Sequence, residues 1–302
     1  MTVACHIGWG YLLIIYLDLG VAGAAISLNI TFIINFLAQE LYIRCIARES
    51  FENYLQPLFS KKSFKWSEAK NFLRLAVPGT MMQCAEWWAF ELLAIFAGML
   101  GPHHLAAQVA VINILGLIYM VPLGIQFTAS ANVGGEIGAG NPTMAKKHAI
   151  SHVTYAVLVV AIIVVAIKFN EDAVAGIFTS DPKDIVYIHE VLDLISAYIM
   201  FDAIHGVNSG IVRALGKQFL ASVVTIICIY ALGLPLALVF GFKMEMGVRG
   251  FWLGFTVAII CQDIFVTIVI VCSNWAVDQK TEPIDEKNIE KGVQTTPSKN
   301  SE

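Results

Sequence analysis

The chain has 302 residues, of which 57% are apolar and only 14% charged, with a formal net charge of −4. Soluble domains carry nearer ~45–50% apolar and ~25% charged residues, so a water-soluble globule is excluded. No basic stripe of the kind nucleic acid requires is present, and no nucleic-acid partner is expected.

The charges are unevenly placed. Residues 44–74 hold ten of them and residues 278–302 hold another ten, out of 19 basic and 23 acidic side chains. The remainder is mostly uncharged apolar sequence, as a lipid-solvated body with watery loops requires.

A helix needs ~20 apolar residues to cross the hydrocarbon core. Inside lipid every backbone group must be satisfied internally, so each long apolar run is read as a helix. The chain opens on a shorter run, 3–17. It lacks a basic leading segment and a small-residue cleavage site, so it reads as part of a helix and not as a signal peptide. Longer runs follow at 21–43, 72–100, 105–131, 149–168, 186–212, 219–242 and 248–275. Turn chemistry marks the joints at Gly101-Pro102, Gly138 to Pro142, Ser180-Asp181-Pro182 and Gly247. The expected fold class is all-α, a polytopic membrane helix bundle embedded in a lipid bilayer.

Lys and Arg set orientation. Loop 44–74 has seven basic residues, loop 132–148 has Lys146 and Lys147, and the 213–218 turn has Arg213 and Lys217. The alternate loops are acidic, with Glu171, Asp172, Asp181 and Asp184. Loop 44–74 and the tail after Trp275 are therefore expected on the cytoplasmic side. The polar tail, 276–302, reads as disordered. The six cysteines lie in or beside apolar runs, form no CxxC, and read as small buried hydrophobes.

Acidic side chains inside apolar runs are costly, by ~2.5–3.5 kcal/mol for Asp at the bilayer centre, and persist where they face a cavity or a partner. Glu86 and Glu91 fall in run 72–100, Asp202 and His205 in run 186–212, and Asp263 in the last. Five residues separate Glu86 from Glu91, about 140° around a helix, so they need different partners. Low dielectric favours the neutral form of a carboxyl group. Such a group can hold a proton near neutral pH and release it when an organic cation arrives. Trp87, Trp88 and Tyr119 supply aromatic faces that attract cations. Adjacent tryptophans point about 100° apart, so at most one of the pair lines a cavity.

Other motifs carry less. His103-His104 reads as a solvated loop pair and not a metal site. The Gly134–Gly140 stretch lacks the preceding strand a dinucleotide site needs. No HExxH, GxSxG or kinase signature occurs, and neither an enzyme nor a cofactor is expected.

The segment from Phe72-Leu-Arg-Leu-Ala-Val-Pro78 to Cys84-Ala-Glu86-Trp87-Trp88-Ala-Phe-Glu91 resembles the seventh helix of eukaryotic MATE (multidrug and toxic compound extrusion) transporters. Leu105-Ala-Ala-Gln108 with Tyr119-Met-Val-Pro122-Leu-Gly124 resembles the eighth. Val133 to Asn141 resembles the family's VGNxLGAG turn, and Ile177-Phe178-Thr-Ser-Asp181 its IFTxD segment. Phe201-Asp202 followed by Ser209-Gly210 to Gly216 resembles the tenth helix, Leu234-Pro235-Leu the eleventh, and Leu19-Gly20-Val-Ala-Gly23 the approach to the sixth.

The resemblance implies a MATE-like C-lobe of six helices at 72–275. It assigns 1–43 to the end of the N-lobe (part of helix five, and helix six) and 44–71 to a cytoplasmic loop between lobes. Helices one to four have no counterpart here, so a truncated transporter, or a half that pairs with a missing N-lobe or another chain, is expected. The implied function is efflux of small organic cations by antiport against protons, rather than sodium, across the plasma or vacuolar membrane. Glu86, Glu91 and Asp202 would bind proton and substrate. Five residues after Gln108, where many animal members carry an acid, this chain has Asn113. Two other classes stay open: a non-transporting membrane protein, receptor-like or inactive, and a lipid or oligosaccharide flippase of the same superfamily.

Overall fold

A computed structural model describes residues 2–46, 66–179 and 181–275, which are helical with no strand among them. The expectations for 47–65 and 276–302 lie outside the described residues. The helices are α1 (Thr2–Gly10, continued as a π-helical stretch Tyr11–Tyr16), α2 (Gly20–Cys45), α3 (Trp66–Leu100), α4 (Pro102–Gly138), α5 (Pro142–Lys168), α6 (Glu171–Phe178), α7 (Pro182–Ala214), α8 (Gln218–Lys243) and α9 (Gly247–Cys272). The chain divides into two compact units, Met1–Lys70 and Asn71–Glu302.

In the first unit, α1 and α2 are tied by polar groups within the apolar sequence. Trp9 Nε1 donates to Thr31 Oγ1 at 3.0 Å, and a His6 ring nitrogen lies 2.7 Å from the same hydroxyl.

The second unit carries the candidate site. Its helices begin where the sequence provides caps. Asn141 and Asp181 accept from Met144 N and Lys183 N, and Pro142 and Pro182 fill the first helical position, where no N–H is needed. Gly140 (φ 73°) and Gly216 (φ 66°) take the left-handed conformation that closes the preceding helices.

Several boundaries differ from the sequence expectation. Residues 66–71, read as loop, are the first turns of α3. Helix α4 runs on to Gly138, past the apolar run that ends at 131. The 169–185 connection contains the short helix α6, whose Ala175 is fully buried. Apolar runs mark the hydrocarbon-embedded part of a helix, and hydrogen bonding carries the helix beyond it.

Five helices are long and apolar enough to span a membrane: α2, α4, α5, α8 and α9. The long helices α3 and α7, with 35 and 33 residues, do not reach that apolarity. They are the two that carry Glu86, Glu91, Asp202 and His205, the polar groups that lower it.

The core between α8 and α9 depends on small residues that let backbones touch. Gly250, Gly254 and Ala258 recur every four residues along one side of α9. A Cβ on Gly254 would lie 2.4 Å from Ala237 N, and one on Gly250 would lie 2.5 Å from the Phe240 carbonyl carbon. Pro235 has no N–H for the carbonyl of Ala231. The preceding stretch, Ile227–Gly233, takes the wider π-helical register, and Leu234 N donates to the Ile229 carbonyl five residues back. Trp252 is fully buried, donates from Nε1 to Gln108 Oε1 at 2.9 Å, and meets Tyr198 edge-on with centroids 5.1 Å apart. Phe90 lies against the same indole at 5.8 Å.

Candidate functional site

A hollow of about 50 Å³ opens among α3, α4, α7, α8 and α9. Glu86 and Trp87 reach it from α3, Tyr119 from α4, Asp202 and Tyr198 from α7, and Gln262 from α9. The helix arrangement thus brings two acids, far apart in sequence, to one wall-to-wall space. Phe90, Ile229, Phe255 and Ile259 complete an apolar lining. The volume suits a few waters and falls well short of the ~300–1,000 Å³ of small-molecule sites.

Four of the six residues singled out from sequence line this hollow: Glu86, Asp202, Trp87 and Tyr119. Two do not. Trp88 is 65% exposed, and Glu91 is exposed as well, turned away from the hollow. The five-residue offset from Glu86 accounts for this, since it moves a side chain to another face of α3. Asn113, at the position where many animal relatives were expected to differ, is exposed and donates to the Val109 carbonyl.

Glu86 has a partner that sequence reading did not supply. His205 Nε2 lies 2.8 Å from Glu86 Oε1, with the imidazole 3% exposed. On its other side His205 Nδ1 lies 3.3 Å from Asp263 Oδ1. The buried Asp263 carboxylate meets no other hydrogen-bond donor among the described residues. Gln262 Nε2 sits 3.0 Å from His205 Nε2 and donates to Thr225 Oγ1 at 3.0 Å; Ser209 Oγ is 3.3 Å from the same imidazole nitrogen. One imidazole therefore joins acids from α3 and α9 across α7. Buried charges persist only when paired in this way.

One local signal pointed to His205. It follows Asp202 by three residues, so both sit on one side of α7, next to the face that carries the acid. Asp263 had no such signal, because His205, the group it meets, lies 58 positions away in the chain (263 − 205).

No group of His, Cys, Asp and Glu among the described residues is arranged to hold a metal ion. The imidazole and carboxylates instead form a contiguous polar chain from Glu86 through His205 to Asp263.

The MatE family profile matches residues 78–239. The chain belongs to the MATE family. It is 34% identical over 269 residues to multidrug and toxin extrusion protein 1 of Xenopus tropicalis, covering 88% of this chain and 46% of that one. It is 30% identical to protein DETOXIFICATION 14 of Arabidopsis thaliana, over 91% of this chain and 56% of that one. The fold superposes on the crystal structure of the eukaryotic MATE transporter AtDTX14 with a TM-score of 0.83 at 26% identity, covering 91% of this chain and 60% of that chain. This MATE chain spans about half the length of the curated relatives it matches. It is a multi-pass integral membrane protein of a transporter family and not an enzyme.

Proposed function

We propose that this MATE chain forms the C-lobe of an exporter that exchanges small organic cations for protons, with Glu86 and Asp202 binding the two in turn. One observation carries the reading: both carboxylates line a single apolar hollow, beside the aromatic faces of Trp87 and Tyr119. Apolar walls deny the acids bulk water. Each acid is then best stabilised either by a proton or by a cation, and one displaces the other. Aromatic faces add attraction for a cation that lacks its hydration shell.

Protons fit the site better than sodium does. The nearest neighbour of Glu86 is an imidazole nitrogen, which exchanges protons readily, whereas hard cations prefer shells made of oxygen. The present hollow is too small for an organic cation, so substrate entry requires the helices to part.

The coupling ion is tested in proteoliposomes holding a two-lobed form that carries residues 72–275. An imposed pH gradient is expected to drive a cationic dye across the membrane, and a sodium gradient at uniform pH is not. Dye movement that follows sodium and ignores pH would overturn the proton assignment.

A further inference from the structure

The hollow explains Glu86 and Asp202 but leaves a third acid without a task. Asp263 is buried, does not line the hollow, and has no hydrogen-bond donor other than His205 facing its carboxylate among the described residues. Its near polar contact is Nδ1 of His205, at 3.3 Å. His205 does not line the hollow either, yet its Nε2 touches Glu86, which does. The imidazole is thus a link between an acid that a substrate can reach and an acid that it cannot.

We propose that Asp263 is a second proton-holding site, loaded from Glu86 through His205. This rests on the proton-exchange reading of the same hollow and extends it inward. The transfer balances atom by atom. Glu86 gives the proton on its Oε1 to Nε2 of a neutral imidazole that carries its own proton on Nδ1. The imidazole releases that Nδ1 proton to Asp263 Oδ1. Glu86 ends ionised, Asp263 neutral, and the imidazole in its other tautomer. The reverse transfer restores the starting state. The two nitrogens of one ring make this possible, since one accepts while the other donates. A lysine or an amide at position 205 could not do both.

The surroundings support a relay. The acids and phenols of the site are Glu86 from α3, Tyr119 from α4, Tyr198 and Asp202 on α7 itself, and Asp263 from α9. Helix α8 contributes the hydroxyl of Thr225, which accepts from Gln262. Gln262 and Ser209 flank the imidazole, so its ring plane is held while protons move. When a cation displaces the Glu86 proton to solution, the proton on Asp263 stays in reserve, and it refills Glu86 through the imidazole once the cation has left.

The test uses the 302-residue chain in lipid nanodiscs, with no transported cation present, so it is independent of whether the chain exports anything. Infrared difference spectra are recorded as the chain is transferred from light to heavy water. A protonated-carboxyl band that vanishes in Asp263→Asn is assigned to Asp263. In the unsubstituted chain that band is expected to shift to its deuterated position promptly. In His205→Gln and in Glu86→Gln the shift is expected to slow by about a hundredfold, the low end of what a positioned proton carrier contributes. Glu86→Gln keeps the test valid if His205→Gln does not fold. A merely structural imidazole would leave the exchange rate of the Asp263 band unchanged. An Asp263 band that exchanges as fast in both variants as in the parent, or the absence of any protonated Asp263 band over the pH range in which the chain stays folded, overturns the proposal.

Discussion

Glu86→Gln is expected to abolish pH-gradient-driven export of a cationic dye in a two-lobed form while leaving the chain folded. The amide keeps the shape of the side chain and can still meet His205 Nε2, which lies 2.8 Å from Oε1. It cannot ionise, so it neither attracts the cation nor returns a proton. Loss of one charged contact is worth about 1.5–3 kcal/mol, or roughly ten- to a hundredfold in cation affinity. Transport falls further than binding, because coupling needs the proton as well as the site. Asp202→Asn is expected to behave alike, since Asp202 lines the same hollow. Dye flux under a pH gradient, with protein quantity checked in the same vesicles, is the measurement. Parental flux in either variant contradicts the assigned role of that residue.

Gly254→Ala is expected to lower the stability of the bundle by about 1–3 kcal/mol, through overpacking. The added methyl would stand 2.4 Å from the backbone nitrogen of Ala237, and backbone cannot step aside as a side chain can. Helices α8 and α9 must therefore separate, and the contacts around Gly250 and Ala258 loosen with them. Gly124→Ala in α4 is the matched control. Nothing lies within 4 Å of its added carbon, and a helix-interior alanine is favoured over glycine by roughly 0.5–1 kcal/mol. Thermal unfolding of the purified chain in detergent should place Gly254→Ala below the parent and Gly124→Ala at or above it. A Gly254→Ala chain as stable as the parent would contradict the close packing of α8 on α9.

Much of this site was legible in the sequence because an acid in an apolar run is expensive and therefore stands out. That reasoning singled out Glu86 and Asp202, and both line the hollow. The geometry of a helix also limited the tryptophan pair to one cavity-facing member, and Trp87 is the one that lines it. Glu91 is the exception among the acids. Its cost in lipid is the same as that of Glu86, but cost does not reveal direction, and the side chain faces outward. His205 and Asp263 were visible as buried polar residues, yet their joint arrangement was not. It arises where α3, α7 and α9 cross, and no spacing along the chain encodes that crossing. Helix ends were read short for a related reason. Apolarity ends at the edge of the hydrocarbon, while α4 continues to Gly138 with Val133 buried and Ile137 packed beside it.

Proton release on cation binding tests the central claim most directly. A hydrophobic cation such as tetraphenylphosphonium is added to the protein in weakly buffered solution, and the pH is followed as binding saturates. Exchange at Glu86 and Asp202 predicts acidification that rises with occupancy and disappears in the Glu86→Gln, Asp202→Asn double variant. Saturable binding with no change in pH, or an equal release of protons from the double variant, would contradict it.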